Sequence, residues 1–203
     1  ALLGDIGRAR MDFDGLRRLA RPAAPLVLAK ATAEVLGEAK KTVAVCGAAR
    51  RGERPRGELA SRVVIVLEGE RSVVQRLAAF EIGLAWGQPL YEIDISFVLS
   101  RYIGEAEERL AEIFERARAT GCGLYLEEAQ GMLGKRTELK RSTDRYSAMQ
   151  VQYVAQALDE FDGLFVMSTS ASGSLDQSIA SRALFRIHFA ELHPRERARF
   201  LRE

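Results

Sequence analysis

Apolar residues recur at helical spacing in four parts of the chain, with polar residues on the intervening positions. The clearest stripe contains Ala106, Leu110, Ile113, Phe114 and Ala117. A later stripe contains Tyr146, Met149, Tyr153, Leu158 and Phe161. The pattern predicts helices over 25–36, stopping at Gly37, and over 72–86, 105–119 and 144–161, with both stripes facing a core.

Short apolar runs alternate with these helices in the second part of the chain. They predict five strands, over 62–67, 90–95, 123–126, 164–169 and 186–189. Strands that are apolar on both sides and separated by amphipathic helices are typical of a parallel sheet covered on both faces. The predicted fold class is therefore α/β, with a mainly parallel five-stranded sheet in a three-layer arrangement.

The same pattern divides the chain into three parts. Residues 1–60 form a lead-in helix followed by a loop, because 47–57 holds four arginines and four residues of glycine or proline. Residues 61–192 form the α/β domain. Residues 193–203 begin a helical lid.

Composition excludes several classes of partner. Thirty basic and 28 acidic residues give a net charge of +2, so neither nucleic acid nor a membrane surface is expected as a partner. No apolar run is long enough to span a membrane. Cys46 and Cys122 match no zinc or disulfide spacing, so we expect no metal site, and a reducing cytoplasm as the location.

The turn after the first core strand is the first place to look for chemistry, since ligands of α/β sheets lie at the carboxyl ends of strands. This turn reads GERSVVQR from Gly69. A phosphate-binding loop reads GxxxxGK[ST], where glycines allow backbone N–H groups to wrap phosphate, lysine neutralises it and the hydroxyl holds Mg²⁺. Here Val74, Gln75 and Arg76 occupy the last three positions. Read alone, the turn does not match a phosphate-binding loop.

A second candidate is the acidic pair that follows the apolar run LYL. Glu127 and Glu128 have the layout in which one carboxylate binds Mg²⁺ and the next orients a water molecule. The alternative is that the pair marks a strand end that enters a solvated helix.

Taken together, these segments resemble the AAA+ family of ATPases in order and spacing. The stretch YEIDISFVLSRYIGEAEERLAEIFERA resembles the segment after the family's phosphate-loop helix. The stretch LYLEEAQGMLGKRTELKRSTDRY resembles a Walker B strand with the GKR and DRY elements of a subgroup linked to phage-tail-like contractile particles. The resemblance implies the P-loop NTPase-like fold of the AAA+ large domain.

The resemblance also assigns roles to positions of this chain. Gln75 and Arg76 stand at the Walker A lysine and threonine, so with Gly69 and Ser72 they form a degenerate nucleotide site. Glu127 and Glu128 correspond to the Walker B pair. Ser170 corresponds to the sensor asparagine, and Arg182 to one of two arginines that reach a neighbouring subunit's ATP. The residues that differ from the family pattern are concentrated at the ATP site.

A further part of the resemblance concerns Tyr102, Ile103 and Gly104. They match the pore loop by which rings of this family grip a threaded polypeptide. The alternative is that Tyr102 and Ile103 cap the following helix with apolar contacts.

We therefore predict a pseudo-ATPase module in a homo-oligomeric ring, hexameric by resemblance, that contacts a polypeptide substrate while ATP is hydrolysed elsewhere. No cofactor is expected, and ATP or ADP with Mg²⁺ only if the site is still competent. Two alternatives stay open. One is an active ATPase that uses Glu128. The other is a nucleotide sensor without turnover, in which Arg71 or Arg76 pairs with phosphate.

Overall fold

A computed structural model describes residues 14–23, 26–53, 62–70, 72–98, 104–135, 142–170 and 175–190, with only the backbone described for 142–148. Its centre is a six-stranded sheet in the order β1-β3-β4-β5-β2-β6. The strands are β1 (Leu16–Arg18), β2 (Val63–Gly69), β3 (Leu90–Ile93), β4 (Gly123–Leu126), β5 (Leu164–Thr169) and β6 (Phe185–Phe189).

The prediction of a mainly parallel sheet is confirmed, but the predicted number of five strands is wrong. Strands β2 to β6 pair in parallel with one another, and β1 adds an antiparallel edge by pairing with β3. The additional strand, β1, has three residues, two of them arginines, so it produces no apolar run in the sequence. Part of the predicted lead-in therefore belongs to the sheet.

Helices cover both faces of the sheet. They are α1 (Lys30–Arg50), α2 (Ser72–Trp86), α3 (Ile95–Val98), α4 (Glu105–Thr120), α5 (Gln130–Leu133), α6 (Ser142–Glu160) and α7 (Gln177–Ala180). One apolar layer lies between the sheet and α1 and α2, and the other between the sheet and α4, α5 and α6. Within the described residues, no helix is long and apolar enough to cross a membrane.

Helix α1 differs from its prediction at both ends. It begins at Lys30 and continues through Gly37 to Arg50. A glycine costs a helix interior only about 1 kcal/mol, and the buried face of Leu36, Ala39, Val43 and Cys46 outweighs that cost. The first residues of the predicted loop are therefore helical.

The end of β3 and one face of α6 also differ. The predicted strand 90–95 ends at Ile93, because the Asp94 carboxylate accepts the backbone N–H of Ser96 at 2.9 Å and starts the turn α3. Met149 was predicted to be buried but is 49% exposed. It lies nine residues before the buried Leu158, which is two and a half helical turns and the opposite side of α6.

Candidate functional site

The candidate site lies where parallel strands end at one edge of the sheet. There the structure forms an open cleft of about 560 Å³, next to the carboxyl ends of β3 and β4 and the first residue of α2. Its polar lining includes Ser72, Glu92, Asp94, Glu127 and Glu128. The sequence placed Ser72, Glu127 and Glu128 at a common site, and the structure brings them together around this cleft.

The backbone between β2 and α2 is compact. Gly69 has a φ of +152°, and a Cβ atom there would lie 2.6 Å from the carbonyl oxygen of Phe189 on β6. Only glycine fits such a position. Helix α2 then begins at Ser72, so three positions that form the phosphate-wrapping loop in GxxxxGK, residues 72–74, are helical. The Val74 side chain is buried in the apolar layer beneath α2.

The Gln75 side chain points into the protein. It is 3% exposed, and its Nε2 lies 3.1 Å from the carbonyl oxygens of Leu67 and Gly69 and 3.0 Å from that of Thr169. The amide therefore ties the first turn of α2 to the ends of β2 and β5. A neutral amide is suited to this place because it satisfies buried carbonyls without burying a charge.

The Arg76 side chain, unlike that of Gln75, pairs with carboxylates. Its guanidinium donates to both oxygens of Glu92, each at 2.7 Å, and to Glu127 Oε2 at 2.8 Å. Arg17, on the neighbouring β1, also donates to Glu92 Oε2 at 2.8 Å. The register explains this contact, since Arg17 and Glu92 are direct partners in the β1–β3 pair.

The pKa values of the two carboxylates in this network are shifted in opposite directions. Burial raises the pKa of Glu92, but hydrogen bonds from Arg76 and Arg17 outweigh it and hold that pKa at about 2. For Glu127, burial dominates and raises the pKa, and the attraction of Arg76 offsets only part of the effect. Glu92 is therefore the carboxylate of the pair that stays ionised over the wider range of pH.

Glu128 has an unusual backbone. It has a φ of +50°, and no other non-glycine residue in the described part of the chain has a positive φ. Its N–H donates to the Ser168 hydroxyl at 3.3 Å, and that hydroxyl lies 3.0 Å from the Tyr125 hydroxyl. Thr169 pairs with Glu68 near the carboxyl end of β2. Ser170, which follows Thr169, therefore lies at the same end of the sheet as the cleft.

Arg182 lies elsewhere and is bound within its own chain. Its Nε donates to Asp159 Oδ1 at 3.0 Å, its Nη2 donates to Asp159 Oδ2, and its Nη1 donates to the Ser178 carbonyl. Arg62 donates to the same carboxylate at 2.6 Å. Action on a neighbouring subunit would require the Arg182–Asp159 pair to open.

Of the three predicted pore-loop residues, the structure describes only the last, Gly104. Tyr102 and Ile103 lie outside the described residues. Gly104 has a φ of +90°, and its carbonyl accepts the N–H of Glu108 at 3.0 Å as α4 begins. A glycine is suited to this turn because its φ is positive.

Sequence reasoning missed Arg17 and Glu92, which complete the network around Arg76. The only signal for Glu92 is a lone carboxylate inside the apolar run LYEI, where a buried charge requires a partner. Arg17 gives no signal, because its role depends on the pairing of β1 with β3. Within the described residues, no group of three or more His, Cys, Asp or Glu side chains is arranged to hold a metal ion.

Comparison with solved structures shows the fold. A chain of the HORMA:CdnC:Trip13 complex from E. coli MS115-1 is 15% identical, has a TM-score of 0.65, and is matched over 83% of this chain and 65% of its own length. The FIGL-1 AAA domain in complex with ADP is 14% identical, has a TM-score of 0.64, and is matched over 93% and 62%. The chain thus spans less than two thirds of either structure.

Sequence comparison adds the family. No curated protein matches the sequence significantly. The family model described as "ATPase family associated with various cellular activities (AAA)" matches residues 69–191, which is more than half of the chain. The chain belongs to the AAA ATPase family.

Proposed function

We propose that this chain is a pseudo-ATPase module of the AAA family, which serves as a ring component while ATP is hydrolysed elsewhere. The observation that carries the proposal is the buried Gln75 amide, bonded to the carbonyls of Leu67, Gly69 and Thr169. The side chain at the phosphate-neutralising position is neutral and directed into the protein. Loss of a charge that stabilises phosphoryl transfer costs several kcal/mol.

The residues at this site do not fit a magnesium nucleotide. Residues 72–74 are helical, so the backbone does not wrap a phosphate as a GxxxxGK loop does. The Arg76 guanidinium stands at the position of the magnesium-binding hydroxyl and is engaged by two carboxylates. These features support a loss of function in both the backbone and the side chains of the loop.

The ring and pore part of the proposal rests on the segment before α4. Gly104 provides a turn with a φ of +90°, and the sequence places Tyr102 and Ile103 directly before it. An aromatic and an aliphatic side chain next to such a turn suit contact with a threaded polypeptide, which requires no locally bound ATP. We infer a homo-oligomeric ring, hexameric by family resemblance, in a soluble cytoplasmic assembly.

A second candidate function is nucleotide sensing without turnover. It is favoured by the likeness to an AAA domain that was solved in complex with ADP. The Glu127 and Glu128 carboxylates also line the cleft in this chain.

Titration with a fluorescent ATP analogue, with and without Mg²⁺, tests the proposal when it is combined with a phosphate-release assay. We expect no binding at millimolar nucleotide and no phosphate release. Binding without release would replace the scaffold by the sensor. Release that Glu128→Gln abolishes and the control Glu108→Gln, on the exposed side of α4, leaves intact would refute the proposal.

The pore assignment has a separate test in the complete assembly. Tyr102→Ala should slow polypeptide processing by at least roughly tenfold if the aromatic side chain grips the substrate, while Tyr102→Phe should preserve the rate. Unchanged processing by Tyr102→Ala would show that the segment only caps α4.

A further inference from the structure

Two carboxylates converge on one guanidinium beside the cleft. Glu92 and Glu127 come from adjacent strand ends, and their side chains are 10% and 29% exposed. Arg76, on α2, is 23% exposed and lies 2.7 Å from Glu92 and 2.8 Å from Glu127. When both carboxylates are ionised at so short a distance, a positive charge between them offsets their repulsion.

The two arginines of the network differ in their surroundings. Arg17 reaches Glu92 from the edge strand, but its side chain is 76% exposed, so solvent screens this pair. Only Arg76 bridges both carboxylates. It therefore provides the partly buried cation of the site, and with Arg17 it joins β1, α2, β3 and the end of β4.

The position of Arg76 in the chain gives this contact its meaning. In GxxxxGK[ST] the last residue carries the hydroxyl that holds Mg²⁺, and a carboxylate at a neighbouring strand end completes the metal's surroundings. Here Arg76 occupies that position, and Glu127 follows β4, which is separated from β2 by β5 and ends beside the cleft. The guanidinium thus lies where the motif would direct a divalent cation.

We propose that Arg76 is a built-in replacement for that cation, which keeps the folded domain independent of metal and closes a latent divalent-cation site formed by Glu92 and Glu127. The inference rests on the proposed function, because a working Mg²⁺–ATP site needs this place free. Removal of the guanidinium leaves two carboxylates, and Mg²⁺ or Mn²⁺ binds through one or two carboxylates with water completing its octahedron. The wild-type chain should therefore ignore divalent cations, and a variant without Arg76 should respond to them.

Thermal unfolding with MnCl2 alone, without nucleotide, tests the inference. The wild-type midpoint should be the same in MnCl2 and in EDTA. Arg76→Thr should lower the midpoint in EDTA by roughly 5–15 °C, because two carboxylates then lose their shared partner, and MnCl2 should restore part of that loss. The control Arg186→Thr removes an arginine that pairs with Glu68 and is 56% exposed, so its midpoint should shift by about 2 °C or less in either solution.

Two further variants keep the test decisive. Arg76→Lys retains the charge but cannot reach both carboxylates with a planar fork, so its midpoint should lie between the wild type and Arg76→Thr. Arg76→Thr with Glu127→Gln should lose the Mn²⁺ response. Electron paramagnetic resonance of free Mn²⁺ gives a readout independent of stability: the signal should fall with Arg76→Thr and stay constant with the wild type.

The inference is overturned if Mn²⁺ stabilises the wild-type chain, or if Arg76→Thr behaves like Arg186→Thr in both solutions. Neither result depends on ATP, so the failure of this inference and the failure of the proposed function are separate outcomes.

Discussion

At the scale of single residues, Gln75 and Arg76 are neighbours with opposite partners. The neutral amide of Gln75 bonds buried carbonyls, and the cationic guanidinium of Arg76 bonds carboxylates at the cleft. Each partner suits its donor, because charge is costly among carbonyls inside a core and is required between two carboxylates. The side chains at the lysine and hydroxyl positions of GxxxxGK[ST] therefore make structural contacts within this domain.

Replacement of Gln75 by leucine should lower the free energy of unfolding by about 1–3 kcal/mol, because the carbonyl oxygens at the ends of β2 and β5 lose a donor without access to water. Urea unfolding measures the change. Gln156→Leu is the control, since Gln156 is exposed on α6, and it should change stability by no more than about 0.5 kcal/mol. Equal effects of the two variants would contradict a structural role for the Gln75 amide.

The pKa of Glu92 leads to a prediction about acid stability. Since it falls from an ordinary 4.5 to about 2 in the folded protein, the ionised carboxylate stabilises the fold above about pH 4.5. That contribution is lost as the pH falls from about 4.5 to about 2, and is at most about 3 kcal/mol. The raised pKa of Glu127 acts in the opposite direction, because protonation of that group is easier in the folded state.

Glu92→Gln should therefore be less stable than the wild type at pH 6, and the difference should shrink steadily below pH 4.5. Urea unfolding at a series of pH values measures it. A difference that stays constant down to pH 2.5 would show that the ionisation of Glu92 does not contribute.

At the scale of elements, the sequence predicts interiors better than ends. Helix α2 and strand β5 have the predicted bounds, because each is a continuous apolar or amphipathic segment with clear polar flanks. The end of β3 depends on the cap that Asp94 forms with Ser96, which is a local hydrogen bond rather than a pattern. The pairing of Arg17 with Glu92 depends on β1, which has too few apolar residues to be recognised.

The two glycines of α1, Gly37 and Gly47, differ in the space available for a larger side chain. A Cβ atom on Gly37 would meet nothing within 4 Å, whereas one on Gly47 would lie 2.3 Å from the Trp86 carbonyl at the end of α2. Both glycines are helical, so helix propensity favours alanine at each. Only the packing of α1 against α2 separates them.

Gly37→Ala should therefore raise the free energy of unfolding by about 0.5–1 kcal/mol, and Gly47→Ala should lower it by about 1–3 kcal/mol. Denaturant unfolding of the two variants compares the same chemical change on one helix. A stabilising Gly47→Ala would show that α1 can move away from α2 without cost.

At the scale of the whole molecule, the chain has the AAA fold, and the residues at the last three positions of the phosphate-loop motif are packed against, or paired with, other parts of the domain. The sheet order and the acidic pair after β4 provide the frame. Val74 is 6% exposed and is packed in the layer beneath α2, in the first turn of a helix that begins at Ser72. The sequence alone predicts the family and the altered positions. It also predicts the helix over 72–86, which places residues 72–74 in the first turn of α2. It does not predict the carbonyls that the Gln75 amide contacts, because those depend on how α2 packs against β2 and β5.

The contributions of the side chains and of the backbone to the proposed loss of nucleotide binding can be separated by restoring the family motif in two steps. Gln75→Lys with Arg76→Thr returns the charge and the hydroxyl but leaves Val74 to hold the first turn in the helix. We expect no nucleotide-dependent change in its thermal midpoint. The addition of Val74→Gly removes the buried side chain and favours a loop, at a cost in stability of a few kcal/mol.

The triple variant should then gain a midpoint rise of roughly 5 °C or more with Mg²⁺ and ATP at about 100 times the dissociation constant, relative to its own midpoint without nucleotide. Each variant serves as its own baseline, so the stability cost of the glycine does not obscure the effect. If the thermal midpoints of the double and triple variants rise by the same amount with Mg²⁺ and ATP, the helical first turn is no barrier to nucleotide binding. The proposed loss of nucleotide binding would then be due to the Gln75 and Arg76 side chains alone.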